Sequence, residues 1–204
     1  MKFFGRAKTE LFLDKIDNDR LRDIQERYAG STDRYAKYAD VEHWLAINLP
    51  RLRELELDRS PPKQILDLGC GAGFFLFLAK QCGHHGVGVD VDLYPLSDEL
   101  IELFDVKRMT HEIRAHQPLP DFGIKFDLIT AFSSAFGRSE DESRGWTVEE
   151  WKFFLDDLKR YRAPGSGKIL LEINSGKDGR YFPAEIREFF LKRGAEVNGE
   201  RVLL

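Results

Sequence analysis

Gly69, Gly71 and Gly73 stand at every second position after the apolar run Ile65-Leu66-Asp67-Leu68 and just before a second apolar run, Phe74 to Ala79. A buried strand that enters three glycines ahead of a helix can turn sharply and leave bare backbone for a ligand to lie against. The spacing is G-x-G-x-G, and Phe74 breaks the G-x-G-x-x-G fingerprint, which argues against NAD or FAD. The next extended run, Gly86-Val87-Gly88-Val89-Asp90, ends in a carboxylate 17 residues after Gly73. An acid there can accept both hydroxyls of a ribose. Alone, an Asp at a strand end is a helix cap or loop residue; its register with the glycine loop makes it a ligand residue.

The other groups able to do chemistry are scattered. Of the five histidines, His84 and His85 sit in a Gly-flanked stretch before the second strand and read as solvated turn residues. His111 and His116, with Glu112, fall near the end of a third strand, and His43 lies on an N-terminal helix. His43 and His116 are the weak candidates for a general base if the reaction needs one. The stretch Phe132 to Trp146 is too long for a simple strand-to-helix turn, and loops at strand carboxyl ends hold ligands. Ser133, Ser134 and Phe136 are expected to line a substrate pocket with Phe132; beyond Phe136 the stretch reads either as a flexible acidic surface loop or as one whose Arg138 and Arg144 meet an acidic substrate group. Glu172 and Asn174 share one face of a later strand by period two; Asn174 joins the substrate set, and a buried Glu172 needs a partner. Cys70 and Cys82 are too few for a disulfide framework, and no spacing suggests a metal site.

These residues need a scaffold, and composition says one is available. Of 204 residues 42% are hydrophobic and 32% charged, enough for one sizeable core or at most two small ones. A formal charge of -4 gives no drive toward nucleic acid. Charged residues interrupt the apolar runs at the N-terminus, so no signal peptide is expected, and the longest apolar run, six residues, cannot cross a membrane. A cytoplasmic protein with no membrane partner is the expectation.

Residues 1–60 are poor in Gly and rich in Arg, Asp, Glu and Leu, which predicts a helical cap or lid. Asp19 is expected to cap a helix burying Leu21, Ile24 and Tyr28 and ended by Gly30. Ser31-Thr32 is expected to cap the next, with Tyr35, Tyr38, Val41, Trp44 and Leu45 inward and Pro50 kinking or dividing it. Aromatic side chains of this layer are expected either to wall an acceptor pocket or to pack on the Phe74–Ala79 helix. From residue 61 to 204, short β-rich runs alternate with helical ones, predicting a parallel sheet with helices on both faces. Asn198-Gly199 predicts a type I′ hairpin at the end. The expected fold is α/β: a Rossmann-like three-layer sandwich, with a mostly parallel seven-stranded sheet, a short C-terminal antiparallel hairpin and an N-terminal helical layer.

Through Ile65 to Gly73, Val87-Gly88-Val89-Asp90 and Phe126-Asp127-Leu128-Ile129-Thr130-Ala131, the chain resembles the class I S-adenosylmethionine-dependent methyltransferases over about residues 60–204. The resemblance implies that Asp67 and the loop of Gly69, Cys70, Gly71 and Gly73 hold the methionine end of the cofactor. It implies that Asp90 and Val91 take the ribose, and that the strand from Phe126 leads past Ala131 and Phe132 to the reaction centre. Two features depart from the family. Met109 to Pro120 carries no acid clearly placed for the adenine, and the C-terminal hairpin is short. The chain lacks the Asn-Pro-Pro-Tyr and Asp-Pro-Pro-Tyr motifs and the Pro-Cys nucleophile of nucleic-acid enzymes, so the expected partner is a small-molecule acceptor. Because the sulfonium donor is already activated, alignment of the acceptor is the main catalytic demand. The alternative is a catalytically silent S-adenosylmethionine-binding protein.

Overall fold

The computed structural model describes residues 9–92, 94–134, 136, 145–175, 179 and 181–204; the positions of Arg138 and Arg144 lie outside them. Seven strands form one sheet: β1 (Gln64–Leu68), β2 (His85–Asp90), β3 (Lys107–Thr110), β4 (Leu128–Ser134), β5 (Lys168–Ile173), β6 (Glu196–Asn198) and β7 (Arg201–Leu203). Their order is β3-β2-β1-β4-β5-β7-β6. β4 runs parallel to both β1 and β5, and β7 runs antiparallel to both β5 and β6. The α/β sheet with its closing hairpin is therefore as expected. The strand order reverses between β1 and β4, and in open α/β sheets ligands bind outside the carboxyl ends of the strands at such a point.

Helices among the described residues include α1 (Asn18–Tyr28), α2 (Val41–Glu54), α3 (Phe74–Gln81), α4 (Pro95–Leu103), α5 (Val148–Leu158) and α6 (Ala184–Lys192), with a 3-10 turn at Ala36–Ala39. The chain divides into two compact units, residues 1–62 with 70–109 and residues 63–69 with 110–204. Among the described residues, no helix is long and apolar enough to cross a membrane.

In the first unit α3 is buried all round from Phe74 to Ala79. A helix with no polar face needs cover, and α2 supplies it, burying Val41, Leu45, Leu49 and Leu52 and packing on α3. Burial of leucines on both sides of Pro50 holds α2 as one helix, so the proline does not divide it. The caps also differ from expectation. Asp17, not Asp19, caps α1, accepting from the amides of Asp19 and Arg20 at 3.1 and 3.0 Å. Ser31 accepts from the Asp33 amide in a local turn, and the cap of α2 is Asp40, which takes the His43 amide at 3.2 Å. Short polar side chains compete for nearby amides, and which one wins depends on where the chain turns. α1 is fastened to α4 by Arg20 on Glu102 (2.7 Å), by Arg27 on Glu99 and by the Tyr28 hydroxyl donating to Glu99 (2.9 Å).

His84 is a further correction. It is 2% exposed, and its Nε2 lies 2.7 Å from the carbonyl oxygen of the buried Leu57. Removing one partner of a buried hydrogen bond leaves the other unpaired, at about 1–3 kcal/mol. His84→Ala is thus expected to lower the unfolding free energy by that amount, read as a lower urea midpoint with an unchanged denaturant slope.

In the second unit Ile65, Leu66, Leu68, Leu128, Ile129, Ile169 and Leu171 fill the sheet core. Thr147 and Glu150 form a capping box at the start of α5. Phe136, expected in a substrate pocket, is buried and packs on Trp146, Trp151 and Phe154 with ring centroids 5.0–5.2 Å apart. β3 ends at Thr110 and β4 starts at Leu128, with Phe126 held by an isolated bridge to Arg162. The hairpin turns at Gly199-Glu200, because Asn198 pairs with Arg201. Gly199 has φ +57° and Glu200 is not left-handed, so the turn is not type I′. A type I′ turn needs positive φ at both central residues, which a Cβ opposes at Glu200.

Candidate functional site

All three glycines of the loop are left-handed, with φ of +71° at Gly69, +55° at Gly71 and +79° at Gly73. Their surroundings separate their roles. A Cβ on Gly73 would meet Ile101 Cδ1 at 2.7 Å, and one on Gly69 would meet Ser134 Oγ at 2.9 Å. Close packing therefore accounts for both. A Cβ on Gly71 would meet nothing within 4 Å, so its backbone borders open space. The Gly71 amide donates to Asp90 Oδ2 at 2.6 Å, and Oδ1 of the same carboxylate accepts from the Val91 amide at 2.7 Å. Each carboxylate oxygen has two acceptor positions, so Asp90 can tie down the loop and still take hydroxyl donors. Cys70 is buried, its amide donates to the Val89 carbonyl, and its Sγ would lie 2.4 Å from a Cβ at position 88. Gly88 is what lets the loop approach β2.

In the second unit Asp67 is 3% exposed and accepts from Thr130 Oγ1 at 2.7 Å, a bond between neighbouring strands β1 and β4. At the carboxyl end of β4 the pairing with β5 shifts register between Ala131 and Ser134, and Ser133 takes φ +53°. Bulges re-aim side chains, and strained residues persist where surrounding contacts hold them. Here the contacts are Ser133 Oγ donating to Glu172 Oε1 at 3.3 Å, Asn174 Nδ2 donating to the Ser133 carbonyl, and Ser134 Oγ donating to the Leu68 carbonyl at 3.3 Å. Glu172 has the partner its burial demands in Arg201, 3.3 Å away and directly opposite on β7. Ser133, Ser134 and Asn174 are thus brought together; Ala131 is fully buried and Phe132 9% exposed beside them in sequence.

The two candidate histidines make other contacts. His43 is exposed, with its ring edge-on to Trp44 at 5.5 Å; His116 is exposed, left-handed at φ +58°, with its ring 5.6 Å from Phe153. Among the described residues neither makes a side-chain hydrogen bond, and no group of acids, cysteines and histidines could hold a metal. Two participants went unread in the sequence. Arg201 reaches Glu172 only through antiparallel strand pairing. Tyr94, four residues beyond Asp90, stacks on Tyr35, and the two hydroxyls hydrogen-bond each other. Burial first, and then that bond, push the Tyr35 phenol up to about 12.

No family profile and no curated protein matches the chain, but solved structures do. A TehB-like SAM-dependent methyltransferase from Corynebacterium glutamicum is similar over 83% of this chain and 96% of its own, at 18% identity and a TM-score of 0.51. The PH0226 protein from Pyrococcus horikoshii is similar over 77% of this chain and 88% of its own, at 18% identity and a TM-score of 0.53. CalS10, an amino pentose methyltransferase from Micromonospora echinaspora solved with SAM bound, is similar at 22% identity over 63% of this chain, with a TM-score of 0.45. This chain covers 50% of that protein, about half its length. At these identities the likeness is one of architecture, and the chain has the fold of the class I S-adenosylmethionine-dependent methyltransferases.

Proposed function

We propose that the chain binds S-adenosylmethionine along the Gly69–Gly73 loop and transfers its methyl group to a small-molecule acceptor. The observation that carries this reading is Gly71: a left-handed glycine bordering open space, with its amide on the carboxylate that ends β2. The bound sulfonium would supply an already activated methyl group. The chain's own residues then need chiefly to bind and align. Asp90 has acceptor capacity left for a ribose diol, and Val91 anchors its orientation. Asp67 is held in one rotamer by Thr130. Ser133, Ser134 and Asn174, displayed where β4 and β5 end, offer hydroxyl and amide groups to orient an acceptor. Phe136 is assigned to the core, and α2 to covering α3.

A second reading, a binding protein without turnover, is favoured by one observation: neither His43 nor His116 makes a side-chain hydrogen bond with any of these residues. Titration calorimetry tests what both readings share. S-adenosylmethionine and S-adenosylhomocysteine are expected to bind and NAD is not; a chain that binds neither adenosyl compound overturns the proposal. Transfer of a radiolabelled methyl group into a small-molecule extract separates an enzyme from a binding protein.

A further inference from the structure

Ser133 is an exposed serine held in a backbone conformation that favours glycine. Its φ is +53°, at the point where the pairing of β4 with β5 shifts register. A Cβ makes the left-handed region costly, and residues kept there cluster where a site needs one particular geometry. Contacts within the second unit hold it. Asn174, just past the end of β5, donates its side-chain amide to the Ser133 carbonyl, and the Ser133 hydroxyl donates to Glu172 Oε1 at 3.3 Å. The next residue, Ser134, lies against the first glycine of the loop, its Oγ 2.9 Å from where a Cβ on Gly69 would sit. The strained backbone therefore fixes an exposed hydroxyl one residue from a contact with Gly69, at the carboxyl end of the strands, where ligands bind in open α/β sheets.

Glu172 is 9% exposed, and Arg201, 3.3 Å from its Oε2, gives the buried charge a counterion. A purely structural ion pair asks for no exposed, strained hydroxyl on its other oxygen. A hydroxyl can accept a hydrogen bond while donating one, whereas an ionised carboxylate only accepts. Ser133 thus links the surface to a buried proton acceptor. We infer that Ser133 and Glu172 form a proton relay and that the methyl acceptor is a hydroxyl compound. This rests on the methyltransferase reading above and adds the class of acceptor to it. As the acceptor oxygen bonds to the methyl carbon, the electron pair of the broken carbon–sulfur bond stays on sulfur. The acceptor's proton passes to Ser133 Oγ, and the serine's own proton passes to Glu172 Oε1. Ser133 touches the substrate; Glu172 acts through it. A neutral amine already offers a lone pair and can shed its proton to water afterwards, but a hydroxyl must lose its proton as the new bond forms. The 3.3 Å separation suits such a relay before substrate binds, since catalytic hydrogen bonds commonly tighten in the complex.

The test compares wild type with Ser133→Gly, Ser133→Ala, Glu172→Gln and the Ser133→Gly, Glu172→Gln double variant. Melting curves and S-adenosylhomocysteine titrations are run without acceptor. Turnover is read with methyl-labelled S-adenosylmethionine and a small-molecule extract; alkali-stable label that hydriodic acid releases as methyl iodide marks a methyl ether. Every variant is expected to bind S-adenosylhomocysteine as wild type does. Ser133→Gly is expected to melt above Ser133→Ala, since both lose the hydroxyl and only glycine relieves the strain. Each single variant is expected to lose ether formation by about a hundredfold or more, the scale of a general base. The double variant is expected to lose no more than the worse single, because the two residues work as one unit. Wild-type turnover in Ser133→Gly or Glu172→Gln, label found only outside ethers, or single losses that multiply would overturn the relay while leaving cofactor binding intact. Wild type that does not bind S-adenosylhomocysteine, or that binds it and transfers no label, defeats the methyltransferase reading itself, and this inference with it.

Discussion

Gly71→Val is expected to lose S-adenosylhomocysteine binding by about a hundredfold or more while the unliganded protein stays folded. The substitution has two separable effects. A left-handed backbone at φ +55° costs a residue with a Cβ about 1–2 kcal/mol, more for a β-branched side chain. That lowers the melting temperature of the unliganded protein without unfolding it, since the new side chain meets no neighbouring atom within 4 Å of its Cβ. The same open space is where the ligand is proposed to lie, so the valine and the ligand exclude each other. Gly73→Val supplies the contrast: there the Cβ runs into Ile101 at 2.7 Å, and the loss is expected in folding before it is seen in binding. Calorimetry on both variants, with melting curves, distinguishes them. Near-native affinity in Gly71→Val would show that the loop does not cradle the ligand.

Asp90→Ala carries the second large effect, roughly a ten- to hundredfold loss of affinity from the charge-assisted hydrogen bonds to a ribose. The carboxylate also holds the Gly71 and Val91 amides, so part of the loss reflects a loosened loop. Asp90→Asn separates the contributions: its side-chain oxygen still accepts from one amide but no longer offers a charged pair, so its affinity is expected to fall between wild type and Asp90→Ala. Unchanged affinity in a folded Asp90→Ala protein would refute the ribose assignment.

How much of this was legible beforehand divides along the range of the interactions. The bounds of α3 and α6, the first strand, the left-handed loop and the position of the closing hairpin follow from apolar period, glycine and strand length, all set within a few residues. Period two put Glu172 and Asn174 on one face, where a buried Glu172 would need a partner, but Arg201 as that partner required the register of β7 on β5. Likewise a histidine pair beside glycines reads as a turn until the carbonyl of Leu57, 27 residues upstream, is found against His84. The caps of α1 and α2 were missed by a shorter reach, because several acids and hydroxyls within one turn compete for the same amides and the incoming chain direction chooses among them.

The candidate site shows the same division. The glycine loop and Asp90 stand out as candidates in the sequence because a ligand lying on bare backbone would demand particular residue types at fixed local spacing. What only the tertiary structure decided was which glycine borders space and which merely permits packing, that Ser133 adopts a strained backbone at a register shift, and that Phe136 belongs to an aromatic core. The physical reason is common to all three. Whether a side chain is packed, partnered or free depends on atoms brought to it from distant parts of the chain, and local periodicity carries no record of them.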